Sequence, residues 1–211
     1  MSDHLLNKIL SESQDIKDFS WRSKEVVSIK RNEKSDFNAV VFKKNQITFE
    51  DVEPFIVNNN ISIVVKFPKV GSWRGDAIEA CESHNIAWGR FGVLLRALSM
   101  DDPENSDDPE IAFSRRALSQ HTRVRKVSFE SDHLLKVHHD TGKIIRVALV
   151  YEYDLSANDV RNAVTRLGKF DALLKTNPNG SVLNDAYSSA RSIGAEVYKI
   201  RDLMSYLAKL R

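Results

Sequence analysis

The chain has 211 residues, 42% of them hydrophobic and 28% charged, with a net charge of +2. This balance suits one or two packed cores, and the lack of any long apolar run excludes a membrane-spanning helix. A single cysteine, Cys81, excludes an internal disulfide and a cysteine-based zinc cluster. The first six residues, Met1 to Leu6, have neither the basic opening nor the apolar stretch of a signal peptide, so a cytoplasmic protein is expected.

The first predicted element is an amphipathic helix over Ser2 to Asp18, set apart as residues 1–20. Its apolar stripe is Leu5, Leu6, Ile9, Leu10 and Ile16. It either packs on its own domain or meets a partner. The first α/β unit is read over residues 21–98 and opens with a hairpin. Val26, Val27 and Ile29 precede the polar turn Asn32 to Lys34, and Phe37, Ala39, Val41 and Phe42 follow. A short helix carries Val52, Phe55 and Ile56. Pro54 belongs in a first turn, so this helix is predicted to start near Asp51. Ile61 to Val65 is apolar on both faces and reads as a central strand, ending at Lys66. A Pro/Gly turn leads to Ser72, the expected N-cap of a helix that buries Ala77, Ile78 and Cys81 and stops at Asn85. A strand over Ile86 to Trp88 and a last helix close the unit.

Residues 99–114 hold Asp101, Asp102, Glu104, Asp107, Asp108 and Glu110 with Pro103 and Pro109, and no basic residue. They are predicted to be an acidic linker. A basic run follows: Arg115, Arg116, His121, Arg123, Arg125 and Lys126. Such a run either grips phosphate or is a solvated face answering the linker.

The second unit, residues 115–211, is read in the same order. Val127 and Phe129 suggest a strand. Leu134, Leu135 and Val137 lead into the turn Asp140 to Lys143, then Ile145, Val147, Leu149 and Val150. Ser156 and Asp159 form a capping box for a helix with Val160, Ala163, Val164 and Leu167 on one face. Phe170 to Leu174 is the central strand, ending at Lys175. Ser181 precedes a helix that buries Ala186, Ala190 and Ile193 and stops at Gly194. A strand near Glu196 to Ile200 and a last helix follow.

The two units coincide under a fixed displacement. Ile61 to Leu98 falls on Phe170 to Leu207 at a shift of 109, matching Lys66 with Lys175, Gly71 with Gly180, Ser72 with Ser181, Asp76 with Asp185 and Leu94 with Leu203. Upstream the shift is 108, matching Asp51 with Asp159 and Val52 with Val160. The expected architecture is therefore α/β, two β-β-α-β-α-β-α units related by internal duplication, plus the N-terminal helix.

Two turns carry the candidate binding groups. Lys66, Lys69, Ser72 and Arg74 cluster in one copy, and Lys175, Asn177, Asn179 and Ser181 in the other. Each cluster precedes a helix whose free N–H groups suit a phosphate oxygen; the plainer reading is a capped helix with surface lysines. Trp73, beside Arg74, either stacks on a base or fills the core, and Trp21 and Trp88 read as core. His138 and His139 alternate across a strand, so joint chelation is not expected. Nucleotide-binding, serine-hydrolase and zinc-protease motifs are absent, and no cofactor or metal is expected.

The second copy runs Asn158 to Val164, Phe170 to Gly180, Asp185 to Ala190, Gly194 to Ile200, then Asp202 and Leu203. In this order of helix, apolar strand, turn, small-faced helix, short strand and last helix it resembles the C-terminal half of Mrr-type restriction endonucleases, of the PD-(D/E)xK nuclease superfamily. The resemblance covers about fifty residues of each copy. It implies nuclease-like units paired inside one chain like a nuclease dimer that straddles DNA.

The catalytic half departs from that family. Its enzymes set an acid on one hairpin strand and (D/E/Q)-x-K on the next, holding a metal and positioning water. Here the second motif falls at Val150 to Glu152, with glutamate in place of lysine, and at Phe42 to Lys44, with phenylalanine in place of the acid. Glu25 and Asp132 stand near the first acid's position. The expectation is a nucleic-acid-binding accessory protein that has lost its chemistry, in a restriction, defence or phage setting. DNA phosphates would meet Lys66, Lys69, Arg74 and Lys175, with Arg115, Arg116, Arg123 and Arg125 assisting. The alternatives are a protein–protein module using its sheet edges or N-terminal helix, and a metal-dependent nuclease with an unrecognised site.

Overall fold

The computed structural model describes residues 2–57, 60–67 and 71–211. The chain divides into two compact units, Met1–Asp108 and Pro109–Arg211. In the first, helix α1 (Ser2–Glu12) precedes strands β1 (Ile16–Trp21), β2 (Val26–Arg31), β3 (Phe37–Phe42) and β4 (Gln46–Ile47). Then come α2 (Phe49–Ile56), β5 (Ile63–Lys66), β6 (Ser72–Trp73), α3 (Gly75–Ser83), β7 (Ala87–Arg90) and α4 (Phe91–Ala97). In the second, α5 (Pro109–Ser119) precedes β8 (Val124–Ser131), β9 (Leu134–His139), β10 (Ile144–Val150), α6 (Ala157–Leu167) and β11 (Ala172–Lys175). It closes with α7 (Asn184–Ser192), β12 (Glu196–Tyr198) and α8 (Ile200–Lys209).

Each unit is a mixed α/β sandwich. The first sheet runs β1-β2-β3-β5-β7 and the second β8-β9-β10-β11-β12. In both, the first three strands are antiparallel and the last two join in parallel. The parallel strands β5 and β11 are buried along their whole length, as expected of strands covered on both faces. In the first unit, Leu6 and Leu10 of α1 and Phe91, Leu94 and Ala97 of α4 join Val27, Ile29, Ala39, Val41, Ile63 and Val65 in one core. In the second, Val160 and Ala163 of α6 and Ala186 and Ala190 of α7 cover Ala148, Val150, Leu173 and Val197.

Several expected boundaries move. The first helix ends at Glu12, and Ile16 to Trp21 is a strand paired with β2. A register shift between Ile16 and Asp18 breaks the period-two alternation, so Ile16 mimics the end of a helical stripe. Nor is α1 a separate piece, since Leu6 and Leu10 are fully buried in its own unit's core. The stretch 99–114 holds the boundary between the units, at Asp108, but is not without structure. Pro103–Asn105 forms a 3-10 turn whose Pro103 is buried, and α5 starts at Pro109. Proline at a first helical position and glutamate in the first turn favour that start. The units therefore include α1 and α5 and a third antiparallel strand, beyond the β-β-α-β-α-β-α order.

Helix α2 starts at Phe49, not near Asp51, and keeps Pro54 in its interior. Thr48 caps it: the Asp51 carboxylate accepts from the Thr48 N–H at 3.1 Å, and Lys44 reaches the same carboxylate. The proline ring removes one bond, to the Glu50 carbonyl, from a helix already anchored at its start. Ser72 and Ser181 are not N-caps. Arg74 and Leu183 occupy those positions, because Ser72 pairs with Gln46 in the short parallel β4–β6 ladder.

Trp73 is fully buried, donating from Nε1 to the Gly89 carbonyl at 3.2 Å and meeting Trp88 ring to ring at 5.7 Å. Cys81 is fully buried too. Burial, with Glu82 beside it, pushes its thiol up to about 12, which makes it core filler and not a nucleophile. Among the described residues no helix is long and apolar enough to cross a membrane.

Candidate nucleic-acid interface

In open α/β sheets, ligands are met where parallel strands end at their carboxyl side. Here β5 ends at Lys66 and β11 at Lys175, and both lysines are buried: Lys66 is 0% exposed and Lys175 3%. The Lys175 ammonium donates to the Asn177 carbonyl at 2.6 Å and to the Asn179 carbonyl. Burial, with Lys199 adding to it, lowers its pKa from the usual lysine value. A side chain read as a surface cation thus forms the peg around which its own turn is wound. Lys69 lies outside the described residues.

The rest of the turn is equally ordered. Asn177 accepts the Asn179 N–H at 3.0 Å through Oδ1. Gly180, at φ 73°, passes against the Tyr153 backbone. Ser181 donates its N–H and its hydroxyl to Asp154 Oδ1 at 2.8 and 2.7 Å. Thr176 donates through its N–H to Val150 at 3.0 Å and through its hydroxyl to Glu110 Oε1 at 2.6 Å. The loop after β10 and the loop after β11 are therefore locked together. Lys199, exposed, reaches the Gly180 carbonyl at 3.4 Å.

The Ser181 hydroxyl first, and then its N–H, hold the Asp154 carboxyl below the ordinary value of 3.8, with partial desolvation opposing and Lys175 assisting. A carboxyl whose folded value is depressed adds stability that is complete above the unfolded value and is lost as pH falls through the folded value. Asp154→Asn is expected to flatten the acid limb of a plot of melting temperature against pH. An acid limb unchanged from the parent would mean that the Asp154–Ser181 bonds do not contribute.

The remaining sequence-predicted residues separate by role. Arg74 is exposed at the start of α3, 3.2 Å from Asp76. Arg115 stacks over Phe129 at 4.8 Å. Arg123 is structural: it grips Asp140 at 3.0 and 3.1 Å and donates to the carbonyls of Ala208 and Leu210 at the end of α8. Arg125 donates one bond, to the Asp140 carbonyl at 2.9 Å, and is otherwise exposed, as are Arg116 and Lys126. Helix α5 packs on β8, so Arg116, Arg125 and Lys126 belong to adjoining elements at one margin of the second sheet. Sequence reasoning missed Lys199, Tyr151, Tyr153 and Asp154. The one available signal was the aromatic pair around Glu152, just past the end of a strand.

The nuclease positions can also be placed. Asp132 and His133 lie between β8 and β9, 2% and 6% exposed. Asp132 Oδ2 is 3.1 Å from His133 Nδ1, but neither carboxylate oxygen accepts a directed hydrogen bond. The His133 carbonyl accepts the Leu149 N–H at 2.8 Å, as Glu25 accepts that of Val41 in the first unit. His138 and His139 face opposite sides: His138 meets Ser128 at 3.1 Å, and buried His139 meets the Leu207 carbonyl at 3.0 Å. Among the described residues, no three His, Cys, Asp or Glu side chains are grouped so as to hold a metal.

No protein-family model, no curated protein and no solved structure matches this chain.

Proposed function

We propose that the chain is a nucleic-acid-binding accessory protein built from two duplicated nuclease-like units without a cutting centre. The observation that carries this reading is the exposed basic margin of the second unit. Arg116 of α5 and Arg125 and Lys126 of β8 face solvent, while the neighbouring acids Asp140 and Glu130 are taken up by Arg123 and Arg146. Cations that face solvent can turn to a phosphate, with release of counter-ions from the nucleic acid. The common order of elements in the two units supports the duplication and is compatible with the nuclease-like scaffold. The buried lysines at the strand ends serve the fold, so the contacts with phosphate are assigned to the exposed residues.

The test is fluorescence anisotropy of a labelled duplex across a salt series, with Mg²⁺ present and the DNA run on a gel afterwards. The parent should bind with an affinity that falls steeply with salt. Charge reversal of Arg116, Arg125 and Lys126 to Glu should weaken binding at least tenfold and reduce the salt slope by about 3. Absence of binding at low salt would overturn the reading in favour of a protein-interaction module. Cleavage of the DNA would overturn it in favour of a metal-dependent nuclease, for which the buried Asp132 is the residue to pursue.

A further inference from the structure

We propose that the paired loops at the carboxyl ends of β10 and β11 form a base-stacking platform for single-stranded nucleic acid, with Tyr151 and Tyr153 as the stacking rings. This rests on the nucleic-acid reading above and assigns it a second site and a strand preference.

The argument starts from exposure. Tyr151 and Tyr153 are 56% and 64% exposed, so two large ring faces are left in water. Among the described residues neither hydroxyl has a hydrogen-bond partner. Such rings on a loose loop would mean little, but this loop is held by the Val150–Thr176, Asp154–Ser181 and Leu155–Ser181 bonds. The Tyr153 ring also passes close over Gly180, where any side chain would collide with it. The rings are thus presented on a fixed frame, so little ordering entropy is lost when a ligand stacks on them. Two residues of chain span at most about 7 Å between Cα atoms, so both rings project from one short segment of this frame.

One cation stands beside the rings. Lys199 stands exposed at the Gly180 carbonyl, and the Asn179 side chain is open to solvent in the adjoining turn. Asp154 is occupied by Ser181. Glu152, between the tyrosines, is exposed and repels a phosphate, so the strand approaches base-first here and meets its cation at Lys199. Stacking needs a base with its face free, which a duplex does not offer.

The test compares a labelled single strand of about 15 nucleotides, within the range one small domain covers, with a duplex of the same length. The variants are Tyr151→Ala/Tyr153→Ala, Tyr151→Phe/Tyr153→Phe and Glu152→Gln, each checked for an unchanged melting temperature. The alanine pair should lose at least tenfold on the single strand and little on the duplex. The phenylalanine pair should bind as the parent does, and Glu152→Gln should bind the single strand more tightly. Parent-like single-strand binding by the alanine pair would overturn the platform while leaving the basic margin intact. Equal loss on both ligands would also overturn it, making the loops a general phosphate contact. If the parent binds neither ligand, both readings fall, and the tyrosines become anchors for a protein partner.

Discussion

Gly180→Ala is expected to destabilise the second unit by about 3 kcal/mol, and Gly71→Ala the first unit by a similar amount. Two costs combine. Gly180 has φ 73° and Gly71 φ 107°, where any L side chain is disfavoured by about 1–2 kcal/mol. The new Cβ would also fall on a backbone carbonyl oxygen, that of Tyr153 or Asn45. Backbone cannot swing aside as a side-chain tip can, so the locked loops must part. Gly194→Ala separates the two costs. It shares the positive φ of 76°, but nothing lies within 4 Å of its added Cβ. Its cost should be near 1 kcal/mol, and Gly194→Asn should cost less still, since Asn85 holds the matching place in the first unit at φ 55°. Urea unfolding followed by circular dichroism reads all four. If Gly180→Ala costs no more than Gly194→Ala, the close approach to Tyr153 is not a constraint.

His133→Ala is the second large effect, at about 3 kcal/mol. Asp132 is 2% exposed, and neither of its oxygens accepts a directed hydrogen bond; its polar contact is with the His133 ring at 3.1 Å. Removing the ring leaves a buried carboxylate without that partner, and the desolvation cost of the charge then falls on the folded state. Asp132→Asn/His133→Ala should recover much of the loss, because a neutral amide is far less costly to bury than a stranded ion. A loss below 1 kcal/mol for the single variant, or no recovery in the double one, would show that the pair is not coupled.

The sequence by itself determined the elements whose pattern is local. The nearly continuous apolar runs Ile61 to Val65 and Phe170 to Leu174 read as strands covered on both faces, and β5 and β11 within them are buried along their whole length. The Ser156–Asp159 box marked the start of α6, and the positive-φ stops at Asn85 and Gly194 marked the ends of α3 and α7. The displacement of 108 to 109 residues is likewise a pattern of the chain itself, in the matching spacings of apolar, glycine and capping residues. Three things were not legible. The strand at Ile16 to Trp21 carries a bulge, and a bulge is visible only against its partner. The acidic stretch 99–114 looks solvated by composition, yet the Arg31 guanidinium, bonded to the carbonyls of Ala97 and Leu98 just before it at 3.1 and 3.3 Å, also reaches Met100 within it, and Pro103 is buried. Lys66 and Lys175 are charged residues after apolar strands, which on composition alone reads as exposure. Only the tertiary structure sets Lys175 beneath a turn whose carbonyls hold its ammonium, and so moves the candidate site outward to Lys199, Tyr151 and Tyr153. Whether a charge is a surface group or a peg depends on which backbone oxygens come within about 3 Å of it, and residue order does not carry that information.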